Sequence, residues 1–359
     1  MASPNLGSQL YFAIKKESVV GTAELVPNVT LPINSNGLNV VRNRQQDSIA
    51  FGSRDALYDD YATDSHVEGE VTGRIRNDYI GNLLALALSV TSAQEGVTGA
   101  YKHIGIPYNL SGGNCTTEPV TFTAFYSDHC SDANYTVNGC VISELKLTIG
   151  VEESTFSATI MGRVRTKVTG TPLTNIKAAL AYTDPTKVFL WSHLVVKSAP
   201  IVAGQTAAAA LAASTTYINL QPSLTLTIKN NAYVDNASAS TVSTEKTPYS
   251  ILFGKFEFAV ETGGTIVRDD TLDGIFSNDT AQHYEFLVNQ QGAGGAELGT
   301  ASTLYPLLRF RVSSAKIELE VDRPVDDKVI YSLAMPNCVN RALDGKSVEA
   351  YFQNTTASY

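Results

Sequence analysis

The stretch from residue 139 to residue 164, GCVISELKLTIGVEESTFSATIMGRV, alternates apolar and polar side chains on both sides of a short break at 150–154. The apolar positions are Val141, Leu145, Leu147, Ile149, Phe156, Ala158, Ile160 and Val164. A period of two places successive side chains on opposite faces of a pleated strand. Because one face is apolar and the other polar, the stretch predicts a long antiparallel hairpin that covers a core on one side.

Asn138 and Gly139 stand at the start of this hairpin, and an Asn-Gly pair is a strong signal for a tight turn. We therefore expect a third strand immediately before the pair. The remaining strands are expected to be variations of the same unit around a shared core.

The composition indicates a globular, β-rich chain with a mildly acidic surface. The 359 residues are 43% hydrophobic and 17% charged, and the formal net charge is -9. This length allows one large or two medium domains. The acidic balance argues against a surface that grips nucleic-acid phosphates, although DNA could still pass by it. No apolar run has the length of a membrane span, and the first residues lack the features of a signal peptide, so we expect assembly in a cytoplasm.

A second alternating segment at 66–76 is followed by a change to helical periodicity. The apolar stripe from Ile80 to Leu88 predicts a helix of about three turns, with Asn77 or Asp78 available as its N-cap. A further short helix is expected at 271–278. Each half of the chain thus consists of strands, a short helix and a strand pair, which indicates weak internal symmetry.

Residues 43–65 are polar and charged and predict a long loop. A loop of more than about 15 residues is uncommon unless it binds something. Aromatic residues mixed with Arg and Asp are typical of a protein interface, and a flexible loop is the alternative. The candidate contact residues are Phe51, Arg54, Asp55, Tyr58, Asp59 and Tyr61. Near 168–216 we expect an insertion or a linker, in which the Ala-rich part is either a short helix or a surface linker.

The sequence offers no constellation that would support catalysis. Carboxylate pairs such as Asp59-Asp60 and Glu152-Glu153 fall in expected turns, where local hydrogen bonding favours them. The five histidines are scattered, and neither a nucleotide loop nor a nucleophile elbow is present. We therefore expect neither an enzyme nor a bound metal or cofactor.

The cysteines are too few for a disulfide scaffold in a chain of this length. They are Cys115, Cys130, Cys140 and Cys338. We expect free, partly buried thiols. A disulfide within or between subunits is the alternative.

Six stretches, taken in order, resemble the major tail tube proteins of long-tailed bacteriophages. They are 15–22, 51–55, 66–88, 135–149, 223–230 and 314–334. The resemblance implies a mostly β fold, in which two packed antiparallel sheets are flanked by a short helix. It also implies one tail-tube domain over residues 1–359, with the long loop at 43–65 and the insertion or linker near 168–216.

The same resemblance implies a structural virion protein rather than an enzyme. Such subunits form rings, commonly of six, and the rings stack into a tube through which genome DNA passes without specific binding. Partners would be other copies of the chain and the tail sheath, tape measure, baseplate or tip, and terminator proteins. Closing sheet edges across subunits also removes a source of aggregation.

Within such a tube the loop at 43–65 would reach a neighbouring subunit. Glu68 and Glu70 are candidates for lining the lumen, because a negative wall repels phosphate. The alternative function is a β-sandwich receptor-binding, glycan-binding or decoration protein that uses Tyr-rich loops.

Overall fold

A computed structural model describes residues 11–47, 59–95, 98–108, 120–127, 134–168, 189–218, 223–235, 248, 250–263, 270–290, 297–298, 304–325, 328–341 and 343–359. The chain is mostly β, as expected, and its strand pairs are antiparallel. In chain order the strands are β1 (Phe12–Lys16), β2 (Val29–Leu31), β3 (Ile33–Asn36), β4 (Asn39–Asp47), β5 (Asp59–Arg74), β6 (Ser89–Gln94), β7 (Tyr101–Ile106), β8 (Phe122–Ser127), β9 (Asn134–Gly150), β10 (Ser154–Gly162), β11 (Val164–Val168), β12 (Leu194–Pro200), β13 (Tyr217–Ile218), β14 (Ser223–Lys229), β15 (Tyr233–Asp235), β16 (Ser250–Leu252), β17 (Glu257–Gly263), β18 (Gln282–Asn289), β19 (Leu307–Ala315), β20 (Glu318–Val325), β21 (Lys328–Met335) and β22 (Val348–Asn354). The α-helices of the described residues are α1 (Ile80–Ala87), α2 (Ala207–Ala213) and α3 (Asp270–Ser277).

Strand β9 is the centre of the larger sheet. Its first part lies between β8 and β11, and its second part lies between β10 and β14. Leu147 faces Phe156 on β10 and Leu226 on β14. The long hairpin predicted from the alternation is therefore confirmed. Each of its two strands also pairs with a further strand on its other side, β10 with β5 and β9 with β14.

The predicted tight turn at Asn138 and Gly139 is wrong, because both residues lie inside β9. Gly139 has a φ of +60°, and the register between β8 and β9 shifts close to it. These features describe an irregularity of the ladder, in which glycine tolerates the left-handed backbone conformation. The Asn-Gly pair bends a continuous strand instead of joining two strands.

The larger sheet has 13 strands and contains an uninterrupted series of neighbours in the order β4-β5-β10-β9-β14-β17-β21-β20. A smaller sheet of seven strands has the order β13-β12-β18-β19-β22-β7-β6, and β15 pairs with β16. Hairpins of consecutive strands in this series are joined by pairs that are distant in sequence, such as β5 with β10 and β9 with β14, so the order also depends on long-range pairing.

The two sheets pack against each other over one apolar cluster. Leu147 and Leu226 from the larger sheet share this cluster with Phe286, Phe310 and Phe352 from the smaller one. Full burial of such a side chain contributes about 1.5–3 kcal/mol relative to exposure, so this layer supplies much of the stability.

The helix predicted at 80–88 is confirmed as α1, and its apolar stripe is buried in the core. The predicted cap is wrong: Tyr79 occupies the N-cap position, and no side chain caps the helix there. The second predicted helix is confirmed as α3. The Ala-rich segment forms α2, for which Thr206 is the N-cap and accepts a hydrogen bond of 3.3 Å from the amide of Ala209.

The interval 43–65 is not a loop at either end, which corrects the expectation from sequence. Residues 43–47 belong to β4, residues 59–65 belong to β5, and the two segments pair with each other. The alternation that normally reveals a strand is missing here because these segments extend beyond the sheet that covers the core. In the interval 168–216, β12 belongs to the smaller sheet and α2 packs against it. Residues 169–188 lie outside the described residues.

Candidate assembly surfaces

The larger sheet has a polar face on the side away from the core. We define this polar face as the outward side chains of β5, β10, β9, β14 and β17. One row across it runs from Glu70 through Thr159, Glu144 and Lys229 to Glu257, each opposite the next. The next rows are dominated by Thr and Ser. The hydroxyl groups of Thr148 on β9 and Thr225 on β14 are directly opposite and 3.1 Å apart, so a hydrogen bond joins the two strands within one of these rows.

Glu68 and Glu70, the two lumen candidates, both lie on this polar face and are exposed. Val67 and Val71 beside them point into the core. The carboxylate of Glu70 accepts a hydrogen bond from the hydroxyl of Ser157 on the neighbouring strand. The alternation of β5 therefore places both acidic side chains on one side of the sheet, where they are available to solvent or to a passing polyanion.

Carboxylates outnumber cations on the polar face. The carboxylates are Glu68, Glu70, Glu144, Glu257 and Glu261, and the cations are Arg74, Lys146 and Lys229. The ammonium group of Lys146 lies 2.8 Å from the carboxylate of Glu144, and that of Lys229 lies 3.6 Å from it. The hydrogen bond to Glu144 raises the pKa of Lys146, and the nearby charges of Glu70 and Glu261 add to this effect. The lysines are thus neutralised within the face.

A second surface is the part of the β4–β5 hairpin that extends beyond the sheet. We call residues 42–47 and 59–66 the arm. Asp59 and Tyr61, two of the predicted contact residues, lie on β5 opposite Asp47 and Gln45. Phe51, Arg54, Asp55 and Tyr58 lie outside the described residues.

A third feature, which the sequence reasoning missed, is the buried carboxylate of Glu17. It accepts hydrogen bonds of 2.7 Å from the hydroxyl of Thr121 and 3.0 Å from that of Thr123. The amides of Gly21 and Gly139 also donate to it, each at 2.7 Å. Four donors compensate the cost of burying a charged group. The Thr-x-Thr pattern at 121–123, where β8 begins, was the available signal in the sequence. It does not indicate which carboxylate the two hydroxyl groups contact.

Glu17 fixes the loop that follows it, which exposes aliphatic side chains. They are Val19, Val20, Leu25 and Val26, and Leu25 is 89% exposed. Glu24 holds the other end of the loop: its amide donates to the hydroxyl of Thr123 at 2.9 Å, and its carboxylate lies 2.7 Å from the ammonium of Lys15. The loop is therefore ordered by polar contacts and not by burial of its own apolar residues.

The buried histidines have structural contacts. His103 lies 2.8 Å from the hydroxyl of Ser92 and 3.2 Å from the amide oxygen of Asn354. Burial lowers the pKa of His103 and of His283, so both rings are neutral near pH 7. No group of three or more His, Cys, Asp or Glu side chains suited to a metal occurs in the described part of the chain.

The two cysteines that the structure describes, Cys140 and Cys338, are free thiols. Burial raises the pKa of Cys338 to about 12 and also raises the pKa of Cys140. A thiol reacts as the thiolate, so both groups are unreactive near neutral pH. Cys115 and Cys130 lie outside the described residues. Across the described ranges, none of the helices combines the length and the apolar character that a membrane crossing requires.

A wide antiparallel sheet with a hydroxyl-rich acidic face and a projecting hairpin is typical of a structural β protein that works through its surfaces. Comparison with protein-family models identifies which one: residues 7–300 match the family described as phage tail tube protein. The chain belongs to this family and is a structural component of a phage tail. No curated protein matches the sequence.

Proposed function

We propose that this chain assembles with copies of itself into stacked rings that form the tube of a phage tail, through which the genome is ejected. Membership of the tail tube family supports this proposal. The observation that carries it in the structure is the polar face, which is broad, hydroxyl-rich and acidic, and which belongs to a sheet with its other side buried. The family match favours this function over the receptor-binding alternative.

The polar face lines the channel in this proposal. A wall on which Glu144 neutralises Lys146 and Lys229 offers few free cations to phosphate groups. Binding to DNA depends mainly on cations that displace condensed counterions, so such a wall binds the duplex weakly. Glu68 and Glu70 add repulsion at the edge of the face. The duplex then slides without sticking.

The arm and the exposed loop at 18–27 make contacts between subunits in the same proposal. The arm extends beyond the sheet, and the loop presents aliphatic side chains from a fixed backbone. Contacts that repeat head to tail close into rings when the rotation allows it. The ends of the tube meet the tape measure, tip and terminator proteins, and its outer surface meets a sheath if the tail has one.

Electron microscopy of the purified chain tests this function. The protein is concentrated stepwise, and each sample is imaged in negative stain and measured by light scattering. We expect rings at low concentration and tubes with a central channel at higher concentration. Isolated particles at every concentration, with no rings or tubes, would contradict the proposal. Purified tails that lack the chain would contradict it as well.

A further inference from the structure

The eight-strand series of the larger sheet consists of two similar units. The first unit has the order β4-β5-β10-β9, and the second has the order β14-β17-β21-β20. In each unit a short helix follows the second strand, α1 after β5 and α3 after β17. In each unit a hairpin then supplies the last two strands, and the later strand of the hairpin takes the inner place.

The two units also agree residue by residue. Aligning the strand registers places residues 35–41, at the end of β3 and the start of β4, on Ser223–Lys229. Leu38 and Val40 then coincide with Leu226 and Ile228, and all four side chains contribute to the core. The same alignment places β20 on β9, so that Leu319 and Val321 coincide with Leu145 and Leu147.

The projecting hairpins correspond as well. Asp47 pairs with Asp59 at the end of the arm, and Asp235 pairs with Ser250 at the equivalent position of the second unit. The β15–β16 hairpin is therefore the counterpart of the arm. Since sheet order, helix position and hairpin register all agree, the eight-strand series is a tandem repeat of one structural unit.

Within the chain, the two units are joined by the pairing of β9 with β14. This join is antiparallel and runs from Glu144 opposite Lys229 to Gly150 opposite Ser223. The described series ends with β4 on one side and β20 on the other. Because β20 is the counterpart of β9, and residues 35–41 are the counterpart of β14, the two ends of the series are complementary in the same way as the internal join.

We infer that β20 of one chain pairs with residues 35–41 of a second copy, in the register of the internal join. This inference rests on the proposed ring assembly and specifies its interface. Leu319 lies opposite Val40 of the neighbour, and Glu320 lies opposite Asn39. The contact is head to tail, so it repeats from copy to copy and closes into a ring.

The main chain at 35–41 shows how the contact forms. The amide of Gly37 donates to the carbonyl of Glu70 at 2.8 Å, inside the sheet. The amide of the next residue, Leu38, instead donates within its own segment, to the side-chain oxygen of Asn36 at 3.1 Å. Amides alternate in direction along a strand, so that of Leu38 points to the outer side. On assembly, the amide of Leu38 gives up its hydrogen bond to the side chain of Asn36 and donates instead to a main-chain carbonyl of β20 in the neighbouring chain.

The second hairpin shows how the arm is used. Ile251 of β16 packs against Val141 and Met161 of the first unit. The amide of Ala232 donates to the hydroxyl of Ser143 at 3.1 Å, and the guanidinium of Arg163 donates to the carbonyl of Pro248 at 2.9 Å. By the same correspondence, the arm packs on the neighbouring chain where β20 begins and β21 ends.

The repeat also sets a lower limit on the number of chains in a ring. Strands lie about 4.8 Å apart, and side chains occupy about 5 Å of each wall. Two chains would give about 16 strands and, with the strands along the tube axis, leave about 14 Å of open width. This is less than the combined depth of the major and minor grooves of B-DNA, about 8.5 Å and about 7.5 Å, so the duplex would not pass. Three chains give about 24 strands and about 27 Å. Three copies, and therefore six units, form the smallest ring that passes DNA.

Paired cysteine substitutions test both the register of the β20 contact and the number of chains in a ring. The variant Asn39→Cys/Glu320→Cys places the two thiols opposite each other across the proposed contact, within the span of a disulfide. The matched control, Ser35→Cys/Glu320→Cys, separates them by four residues along the strand, about 13 Å. Both variants and the parent chain are assembled under reducing conditions, imaged for tubes, oxidised and run on a non-reducing gel.

We expect tubes from both variants and a ladder of monomer, dimer and trimer that ends at the trimer for the matched pair alone. Normal tubes with no more cross-linking than the control would overturn the β20 contact and leave the tube function intact. A ladder that continues to six chains would overturn the three-chain ring. Absence of tubes from the parent chain would refute the tube function itself.

Discussion

The backbone amide of Gly139 donates a hydrogen bond of 2.7 Å to the buried carboxylate of Glu17, which is 122 residues away in the sequence. This bond connects the irregular point of the central strand β9 with the end of β1. Thr123 on β8 and Thr121 immediately before β8 donate to the same carboxylate. A single acidic side chain thus holds together three strands and the loop at 18–27.

Replacement of Glu17 by Gln is expected to lower the free energy of unfolding by about 2–3 kcal/mol. The neutral amide keeps one acceptor oxygen and places an NH₂ group against donors, so buried hydrogen bonds to a charged group are lost. Chemical denaturation of the unassembled chain measures the change. The control is Glu257→Gln on the exposed surface, which we expect to leave stability nearly unchanged. Equal stability of Glu17→Gln and the parent would show that the carboxylate is not needed.

Replacement of Gly139 by Ala is expected to lower the free energy of unfolding more than the same replacement at Gly204. Both glycines have positive φ, at +60° and +77°, so the backbone strain is similar. A methyl group at Gly139 would lie 2.5 Å from Cδ of Arg163, which is held by its bond to Pro248, whereas nothing lies within 4 Å at Gly204. We expect the free energy of unfolding to fall by about 1–2 kcal/mol for Gly204→Ala and by clearly more for Gly139→Ala. Chemical denaturation curves of the two variants and the parent measure these differences. Equal losses would contradict the packing argument.

The contribution of Glu24 to stability is expected to disappear in acid. The hydrogen bond from Lys15, with help from Ser18, lowers the pKa of Glu24 from 4.5 to about 2. A carboxylate with a lowered pKa in the folded state stabilises it above the unfolded value, and this contribution is lost as the pH falls through the folded value. The stability difference between the parent and Glu24→Gln should therefore be constant above about pH 5 and shrink between about pH 4.5 and pH 2. A difference that grows on acidification would refute this assignment.

The sequence predicted those parts of the fold in which local pattern and burial agree. The alternation around Leu147 located the central hairpin, and the stripe that includes Leu84 located α1, because each buries one apolar face. It could not predict that Gly139 bends a strand, because the group that satisfies its amide, Glu17, is remote in sequence. The arm was missed as a strand pair because it extends past the core and has no apolar side to produce a period. The site prediction for Glu68 and Glu70 followed from alternation alone.

Shortening the segment between the two strands of the arm is expected to abolish assembly without unfolding the chain. Asp47 and Asp59 are directly opposite, so residues 48–58 are replaced by Asn-Gly, which suits a two-residue hairpin turn. Circular dichroism and the denaturation midpoint should match those of the parent, and electron microscopy should show no tubes. The control replaces 291–296 by the same dipeptide and should still assemble. Normal tubes from the shortened arm would show that Phe51, Arg54, Asp55 and Tyr58 make no essential contact.

Reversal of charge on the polar face is expected to make the tube retain DNA. In the variant Glu70→Lys/Glu261→Lys, two carboxylates that raise the pKa of Lys146 become cations, so the face carries unpaired positive charge. Assembled tubes should then bind duplex DNA with an affinity that falls as salt increases, since each phosphate contact releases counterions. Tube formation itself should be unchanged, because the strand edges are not altered.

The matched control is Glu257→Lys together with Glu297→Lys, which makes the same change in net charge but places only one new cation on the polar face. This control should retain less DNA than the Glu70→Lys/Glu261→Lys variant. Phages that carry the Glu70→Lys/Glu261→Lys variant should eject their genomes more slowly than the parent. Equal ejection rates and equal DNA retention in the variant and the parent would show that the polar face does not line the channel.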